Sequence, residues 1–459
     1  MKKSTVYICS NCGYRSIGAM GKCPECNSWG TLEETVVENK KGTGSTSRET
    51  SSKKLIKKLS EVKSTNSDRI ITNIHEFNRV MGGGIVKDSV TILSAKPGAG
   101  KSTILLQVAN DLAKMGYKVL YASGEESESQ IKSRADRIIK SINEGVWVLS
   151  DNSMDNILAN INEIDPDLVI IDSIQTVTLD AFPGSRAGSP TQTMECAYEL
   201  VKTAKNPLRP RAIIIVGQMT KEDELAGVRA LEHLVDTVLI IEGESGEELR
   251  TLLSTKNRYG STGEMGFFNM TDEGMLSIDN PSQFFMTKRE NDKNVSGSSL
   301  TVVREGTRPI ILEIESLVSE SFTPYPSRIG ECMRREQLNT LVSILEQRGG
   351  IKLYDKNVVI KTTGGIKLQE QASNLAVIMS IASSVFKTGI PNDTIFISDV
   401  GLTGELKKVP SLESRLREAD RMGFKRAYIA PESGKHIKTE SIQVIQVPIL
   451  RDVINHIFK

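Results

Sequence analysis

Apolar positions along the chain follow two rhythms. Between residues 90 and 216, short unbroken apolar runs alternate with stretches in which apolar residues recur every three or four positions. The runs are Val90-Thr91-Ile92-Leu93, Lys118-Val119-Leu120-Tyr121-Ala122, Val146-Trp147-Val148-Leu149, Leu168-Val169-Ile170-Ile171 and Ala212-Ile213-Ile214-Ile215-Val216. The helical periodicity lies at Ile104–Ala109, Gln130–Lys140, Met154–Ile164 and Thr191–Lys205. Unbroken β-branched runs separated by helices predict a mainly parallel sheet covered on both faces. Such sheets bind ligands beyond the carboxyl ends of their strands. Two further apolar runs follow, Val238–Ile241 and Leu249–Leu253.

Beyond a polar stretch from Gln283 to Ser299 the order changes. Strands are predicted at Leu300–Val303, Ile310–Ile314, Asn357–Lys361, Thr394–Ile397 and Ala427–Ile429, and helices at Arg335–Arg348, Ala372–Val385 and Leu412–Met422. This is a mixed α+β domain. Residues 34–68 are rich in Lys, Ser, Thr, Glu and Gly and lack aromatics, which predicts a flexible linker. Within it, Lys53–Leu59 has the pattern of a short basic helix. The chain is therefore divided into 1–33, the linker 34–68, an α/β domain 69–285 and an α+β domain 286–459.

Composition adds limits. The 459 residues carry a net charge of +1, so nucleic-acid contact must rest on local clusters. No apolar stretch approaches a bilayer span, and Met1-Lys2-Lys3-Ser4 leads into cysteines rather than a signal core; a cytoplasmic protein is expected. Four of the six cysteines form two C-x-x-C pairs, Cys9/Cys12 and Cys23/Cys26, ten residues apart. A redox dithiol is the rival reading for one such pair. Two at this spacing suit a tetrahedral Zn²⁺, which would supply the folding energy that thirty-three residues lack.

The most specific chemistry lies at Ala95-Lys96-Pro97-Gly98-Ala99-Gly100-Lys101-Ser102-Thr103, between a predicted strand and a predicted helix. That context defines a phosphate-binding loop. Backbone N–H groups of Gly98, Ala99 and Gly100 would converge on a phosphate at a helix N-terminus. Lys101 would reach the β- and γ-oxygens, and Ser102 would ligate Mg²⁺. Ala95 stands where the pattern usually has glycine, which matters if that backbone needs a positive φ. Asp172 closes a strand and fits the carboxylate that holds Mg²⁺ through water. Glu125 and Glu126 follow another strand; either could act on the attacking water or cap the next helix, and Glu125 is the preferred base. Gln218, after the Ile213 strand, could sense the γ-phosphate. Lys256-Asn257-Arg258-Tyr259-Gly260 suits an anion site for a phosphate of DNA or of a neighbouring subunit, with a charged hairpin turn as the plainer reading.

Taken in order, the cysteine pairs, Gly82-Gly83-Gly84, the phosphate loop, Gly124-Glu125-Glu126-Ser127, Asp172-Ser173-Ile174-Gln175-Thr176 and Lys256–Gly260 resemble the bacterial RadA (Sms) DNA repair family. The family's last motif is K-N-R-F-G, with Tyr259 replacing Phe here, and Gln218 stands where members commonly have His. The resemblance implies a RecA-like ATPase core using ATP and Mg²⁺ and a C4 zinc finger. It also implies a hexameric ring on single-stranded and branched DNA, and branch migration together with the RecA recombinase. Lys256 and Arg258 would then act in DNA binding and in coupling ATP between subunits. A nucleotide-switched adaptor that assists RecA loading without translocating would use the same motifs. The last domain resembles Lon protease, but Ala372 falls at the serine position and Val409–Arg415 lacks the lysine, so a scaffold without proteolytic activity is expected. Arg304, Arg308, Arg328, Arg334 and Arg335 are its candidate DNA contacts.

Overall fold

The computed structural model describes the backbone of residues 4–9, 15–16 and 32–37, residue 60, and residues 69–459 apart from 219–230, 244–245, 288–293 and 432–438. The chain divides into two compact units, Met1–Thr65 and Asn66–Lys459. In the first, β1 (Ser4–Cys9) lies between β2 (Arg15–Ser16) and β3 (Leu32–Val37), antiparallel to both. Pairing of β3 with β1 runs from Leu32 to Val37, so the N-terminal module continues past residue 33 into the stretch read as linker. Cys9 ends β1. Cys12, Cys23, Cys26 and the Lys53–Leu59 segment lie outside the described residues.

The second unit opens with the short pair β4 (Arg69–Ile70) and β5 (Ile85–Val86), with α1 (His75–Val80) between them. The alternation expected from the sequence follows: β6 (Val90–Ala95), α2 (Lys101–Lys114), β7 (Val119–Ser123), α3 (Glu128–Ile138), β8 (Val146–Ser150), α4 (Met154–Ile164), β9 (Leu168–Asp172), α5 (Pro190–Ala204), β10 (Ala212–Gln218) and β11 (Thr237–Glu242). Antiparallel β12 (Leu249–Asn257), β13 (Met265–Thr271) and β14 (Gly274–Ser277) complete a nine-stranded sheet ordered β14-β13-β12-β11-β6-β10-β9-β7-β8. The six strands from β11 to β8 are parallel.

Unbroken apolar runs are explained by the two cores. Leu93, Tyr121, Ile170 and Ile214 pack on one face with Leu105, Val108 and Leu112 of α2. Ile92, Leu120, Val169, Ile171, Ile213 and Ile215 pack on the other with Ile157 and Ile161 of α4 and Leu200 of α5. Neighbouring residues of one strand thus face opposite cores. Helix starts follow side-chain caps. Ser127 forms a capping box with Gln130 and sets α3 two residues earlier than periodicity alone predicts. Ser153 and Ser189 cap α4 and α5.

The remaining chain forms α6 (Pro281–Phe284), β15 (Ser298–Glu305), β16 (Arg308–Glu320), β17 (Arg328–Gly330), α7 (Arg335–Gly349), β18 (Lys356–Thr362), α8 (Asn374–Phe386), β19 (Thr394–Ile397), β20 (Asp399–Val400), β21 (Leu406–Lys407), α9 (Leu412–Arg421), β22 (Arg426–Ile429), β23 (Gln443–Gln446) and α10 (Leu450–Phe458). A four-stranded sheet β15-β16-β18-β17 and a parallel sheet β19-β22-β23 carry its helices, an α+β arrangement. The helix expected from Ala372 begins at Asn374, because Gln371–Ser373 forms a 3₁₀ turn first. The expected junction near residue 285 lies inside one core. Phe285 meets Phe267 edge to face, ring centroids 5.5 Å apart, and both pack with Ile310, Ile314 and Leu375. Arg308 Nη1 also donates to Glu76 Oε1 of α1 at 2.7 Å. Among the described residues no helix is long and apolar enough to cross a membrane.

Two expectations for stability follow. Phe285→Ala empties a site shared by the α/β and α+β parts, so it should cost about 3–5 kcal/mol. Chemical denaturation should then show both parts unfolding at a lower midpoint in one transition. Glu305, at the end of β15, has its carboxyl pushed up to about 7 by burial and then by the nearby Glu370. Below about pH 4.5 both folded and unfolded states are protonated and the site costs nothing. The cost grows as pH rises to 7, reaching at most about 3 kcal/mol above it. Glu305→Gln should therefore raise the melting temperature at pH 8 and leave it nearly unchanged at pH 4.5.

Candidate nucleotide-binding site

Parallel pairing brings the ends of five strands to one edge of the sheet. Ala95, the last residue of β6, pairs with Gln218 of β10 and Ile241 of β11. Asp172 ends β9 and pairs with Ser123 of β7. The loop after β6 and the turn after β7 therefore open on the same side, beyond the carboxyl ends.

Conformation explains the glycines of the loop. Gly98 has φ 78° with open space where a Cβ would stand, and Gly100 has φ 104° and precedes α2. A Cβ on Gly100 would meet Met270 Cε at 2.5 Å and Met275 Sδ at 2.8 Å. Ala95 needs no such freedom. Among the described residues, non-glycine positive φ occurs only at Asp165, Lys387 and Ser411, so alanine in place of the usual glycine fits its strand. Lys101 Nζ donates to the Ala95 carbonyl oxygen at 2.9 Å. Partial burial lowers its pKa, against the pull of the carboxylates of Asp172 and Glu125.

The carboxylates divide cleanly. Asp172, 8% exposed, accepts on Oδ2 from Ser102 Oγ at 2.9 Å and from the Tyr121 phenol at 2.5 Å. Burial raises the Asp172 pKa, and these two hydrogen bonds oppose the rise. The Tyr121 pKa is raised well above its ordinary value by burial and by Asp172, so the phenol keeps its proton and is the donor. Ser123 Oγ accepts from the backbone N–H of Glu125 at 3.2 Å and of Glu126 at 3.0 Å, which shapes the turn after β7. A side chain at Gly124 would strike the Thr176 side chain, so glycine lets the strand end pass the next loop without displacing it. On this turn Glu125 Oε1 accepts from the hydroxyl of Ser173, the residue after β9. Glu126 turns away: Arg134 of α3 grips both its oxygens, at 2.7 and 2.5 Å. Glu125 thus shares the Lys101 and Asp172 neighbourhood, while Glu126 ties α3 to the sheet. Tyr121, Ser173 and Arg134 were not singled out by the sequence. The only signal was a hydroxyl-bearing ring inside an otherwise apolar strand.

Gln218 is placed beside Ala95 by backbone pairing, and residues 219–230 lie outside the described residues. Ser102 and Asp172 converge as a hydroxyl and a carboxylate, hard oxygen donors suited to Mg²⁺.

Lys256–Gly260 lies at the opposite end of the sheet. Asn257 pairs with Thr237, and Thr237 with Thr91, four residues and about 13 Å along β6 from Ala95. Lys256 Nζ turns inward to the carbonyl oxygens of Glu232 and of Val235, the latter at 2.9 Å. Arg258 Nη1 reaches Asp236 Oδ1 at 3.1 Å, and Lys205 Nζ binds the same oxygen at 2.9 Å. Asp236 is 1% exposed, whereas the Arg258 side chain is 52% exposed. Asn257 Nδ2 donates to the Val80 carbonyl at 3.3 Å, and Arg69 Nη2 to that of Tyr259 at 2.7 Å. Gly82 lies against Gly260, 3.0 Å from its Cα to a Cβ built there, so the triple-glycine lead-in gives room to this turn.

Further along, the expected basic surface is thinner than the sequence implies. Arg304 donates to Ser411 Oγ and the Gly306 carbonyl, Arg308 to Glu76 and the Asp279 carbonyl, and Arg328 to the Leu353 carbonyl. Arg334 and Arg335 are exposed. At the Lon-like position Ala372 is buried, and the buried Ser373 donates its hydroxyl to the Glu370 carbonyl at 2.9 Å. Arg415 is fully buried and donates to the Glu370 carboxylate and to the Val302 carbonyl, the latter at 2.6 Å.

A glycine loop between a buried parallel strand and a helix N-terminus, with a lysine and two carboxylates at its mouth, defines a P-loop protein with a RecA-like core. Residues 57–187 match the AAA domain family, and residues 7–34 match the rubredoxin metal binding domain. The chain is 42% identical over 452 residues to the DNA repair protein RadA of Bacillus subtilis (strain 168), covering 97% of each. It is 39% identical over 460 residues to that of Listeria monocytogenes, covering 99% of this chain and 98% of the relative. With that of Streptococcus pyogenes serotype M3 the figure is 39% over 459 residues, 100% and 99% covered. The chain belongs to the RadA family of DNA repair proteins, and its AAA domain makes it an ATPase.

The two glutamates should separate in solution. Glu125→Gln should lower ATP turnover at least about 100-fold while leaving nucleotide binding within a few-fold of wild type. Glu126→Gln should lower the melting temperature by loosening α3, with turnover much less affected. Single-turnover hydrolysis and fluorescent-nucleotide titration of both variants check this, and the reverse ranking would contradict the assignment.

Proposed function

We propose that this protein is a DNA-dependent ATPase that drives branch migration of recombination intermediates, acting with the RecA recombinase on single-stranded and branched DNA. The observation that carries the proposal is the placement of Lys256–Gly260. The motif sits at the far end of the sheet from the phosphate loop of its own chain, yet is braced through Asp236 and Val90 to β6, the strand that leads into that loop. Such a motif acts on something outside its own nucleotide site, a phosphate of DNA or the site of a neighbouring subunit. A half-exposed Arg258 held on a buried carboxylate suits that role.

At the loop, backbone N–H groups of residues 98–100 and Lys101 hold the phosphates of ATP. Ser102 and Asp172 are the residues that would hold Mg²⁺, which supplies charge neutralisation on the phosphates. Glu125, oriented by Ser173, accepts a proton from the attacking water. Gln218, at the adjacent strand end, senses the γ-phosphate and passes its state to the following loop. Cys9, Cys12, Cys23 and Cys26 hold Zn²⁺ in the N-terminal module.

Assembly into a ring, of hexameric size by family resemblance, completes the reading. One surface feature supports assembly. Leu317, Val359 and Ile329 form a row across β16, β18 and β17, and Leu317 is 66% exposed. An apolar row on the outer face of a sheet is a surface that association would cover. Phosphate contacts should dominate affinity for DNA, so binding should weaken with salt and show little sequence preference. The alternative from a different class is a nucleotide-switched adaptor that loads RecA without moving DNA.

The test is branch migration on a three-strand junction with wild type, Lys101→Ala and Arg258→Ala, together with ATP hydrolysis with and without single-stranded DNA. The motor reading predicts DNA-stimulated hydrolysis and junction movement by wild type, and DNA binding without movement by both variants. Slow hydrolysis indifferent to DNA, with no junction movement, would replace it with the adaptor.

A further inference from the structure

Tyr121 is a buried polar group in contact with the site that no step above employs. It lies in the middle of β7, paired with Val148 on one side and Ile170 on the other, and is 1% exposed. Its ring packs with the apolar residues between the sheet and α2. Ser123, two residues on, pairs with Asp172, so Tyr121 and Ser123 share a sheet face and the phenol reaches diagonally to the end of β9. There its hydroxyl donates to Asp172 Oδ2 at 2.5 Å, the same oxygen that accepts from Ser102 at 2.9 Å.

We propose that Tyr121 is a positioning residue for Asp172: its phenol anchors the carboxylate at the orientation in which Asp172 and Ser102 together take Mg²⁺. The proposal rests on the reading of Asp172 as a Mg²⁺-holding residue. A buried phenol needs a hydrogen-bond partner, and a carboxylate at a strand end has torsional freedom unless a donor fixes it. Of the two donors, Ser102 stands on the first turn of the helix that follows the phosphate loop, whereas Tyr121 stands inside a central strand of the sheet. The Tyr121 hydrogen bond therefore references Asp172 to the sheet and not to the loop. Partners behind a metal-holding carboxylate commonly change metal affinity by 10- to 100-fold when removed.

Tyr121→Phe keeps the ring and deletes only the hydroxyl, so the core around it is preserved. The measurement is binding of a fluorescent, non-hydrolysable ATP analogue to the full-length protein at increasing Mg²⁺, and again in EDTA, beside wild type and Asp172→Asn. Thermal unfolding of each variant without nucleotide checks that it folds. The expected result is an increase of about tenfold or more in the Mg²⁺ concentration for half-maximal binding of Tyr121→Phe. Its metal-free affinity and melting temperature should stay close to wild type. A Mg²⁺ dependence equal to wild type overturns the proposal while Asp172→Asn is still shifted. Equal weakening with and without Mg²⁺ also overturns it, since that is the mark of a merely structural residue. If Asp172→Asn itself leaves the Mg²⁺ dependence unchanged, the reading of Asp172 fails and this proposal with it.

Discussion

The parallel register of β6, β10, β9 and β7 is the constraint on which the site depends. It aligns Ala95 with Gln218 and Asp172 with Ser123, and so delivers a phosphate loop, a carboxylate and a turn to one edge of the sheet. A slip of one residue in β9 would turn Asp172 toward the opposite core. The register is held by burial on both faces, since each strand gives alternate residues to two separate apolar cores. The buried polar side chains of its parallel strands are mostly small hydroxyls, such as Thr91, Ser94, Ser123 and Thr237. Tyr121 is larger than these: its phenol reaches from the apolar core to Asp172, a buried carboxylate at the site.

The same sheet separates two motifs in space. The phosphate loop lies at the carboxyl ends of the parallel strands, and the Lys256–Gly260 turn lies at their amino ends, where the antiparallel β12 leads to β13. Asp236 links the two through its acceptance of the Val90 N–H, at the start of the strand that ends in the phosphate loop. Packing across the later part of the chain extends this body. Phe267 and Phe285 share a core with α8, and Arg308 reaches α1, so the α+β part moves with the ATPase sheet and not as a tethered appendage.

Residue type alone left some placements open that geometry decides. Glu125 and Glu126 are identical in chemistry and adjacent in sequence; Ser173 binds one and the Arg134 fork binds the other. Five arginines in the C-terminal part read as a basic surface, yet three of them also donate to carbonyls, a serine hydroxyl or Glu76 of the same chain. Ala95 departs from the usual glycine at no conformational cost, because that position is ordinary strand. Gly98 and Gly100 carry the left-handed conformations, and Gly124 and Gly82 are fixed by contacts with segments distant in sequence.

By itself the sequence determined the order of strands and helices from residue 90 to 218, the phosphate loop and the family. Hydrophobic periodicity and a strand–glycine–helix motif are local, and local patterns are visible without coordinates. It also placed Asp172 and Gln218 at strand ends, since Asp172 directly follows one apolar run and Gln218 comes one glycine after another. Only the tertiary structure decided which residues meet: Tyr121 with Asp172, Ser173 with Glu125, Arg134 with Glu126, Phe285 with Phe267, and Gly82 with Gly260. The antiparallel β13 and β14 and the terminal α10 likewise escaped the pattern. These pairings join residues far apart along the chain, and a contact of that kind comes into being only when sheet register and helix packing bring its two sides together.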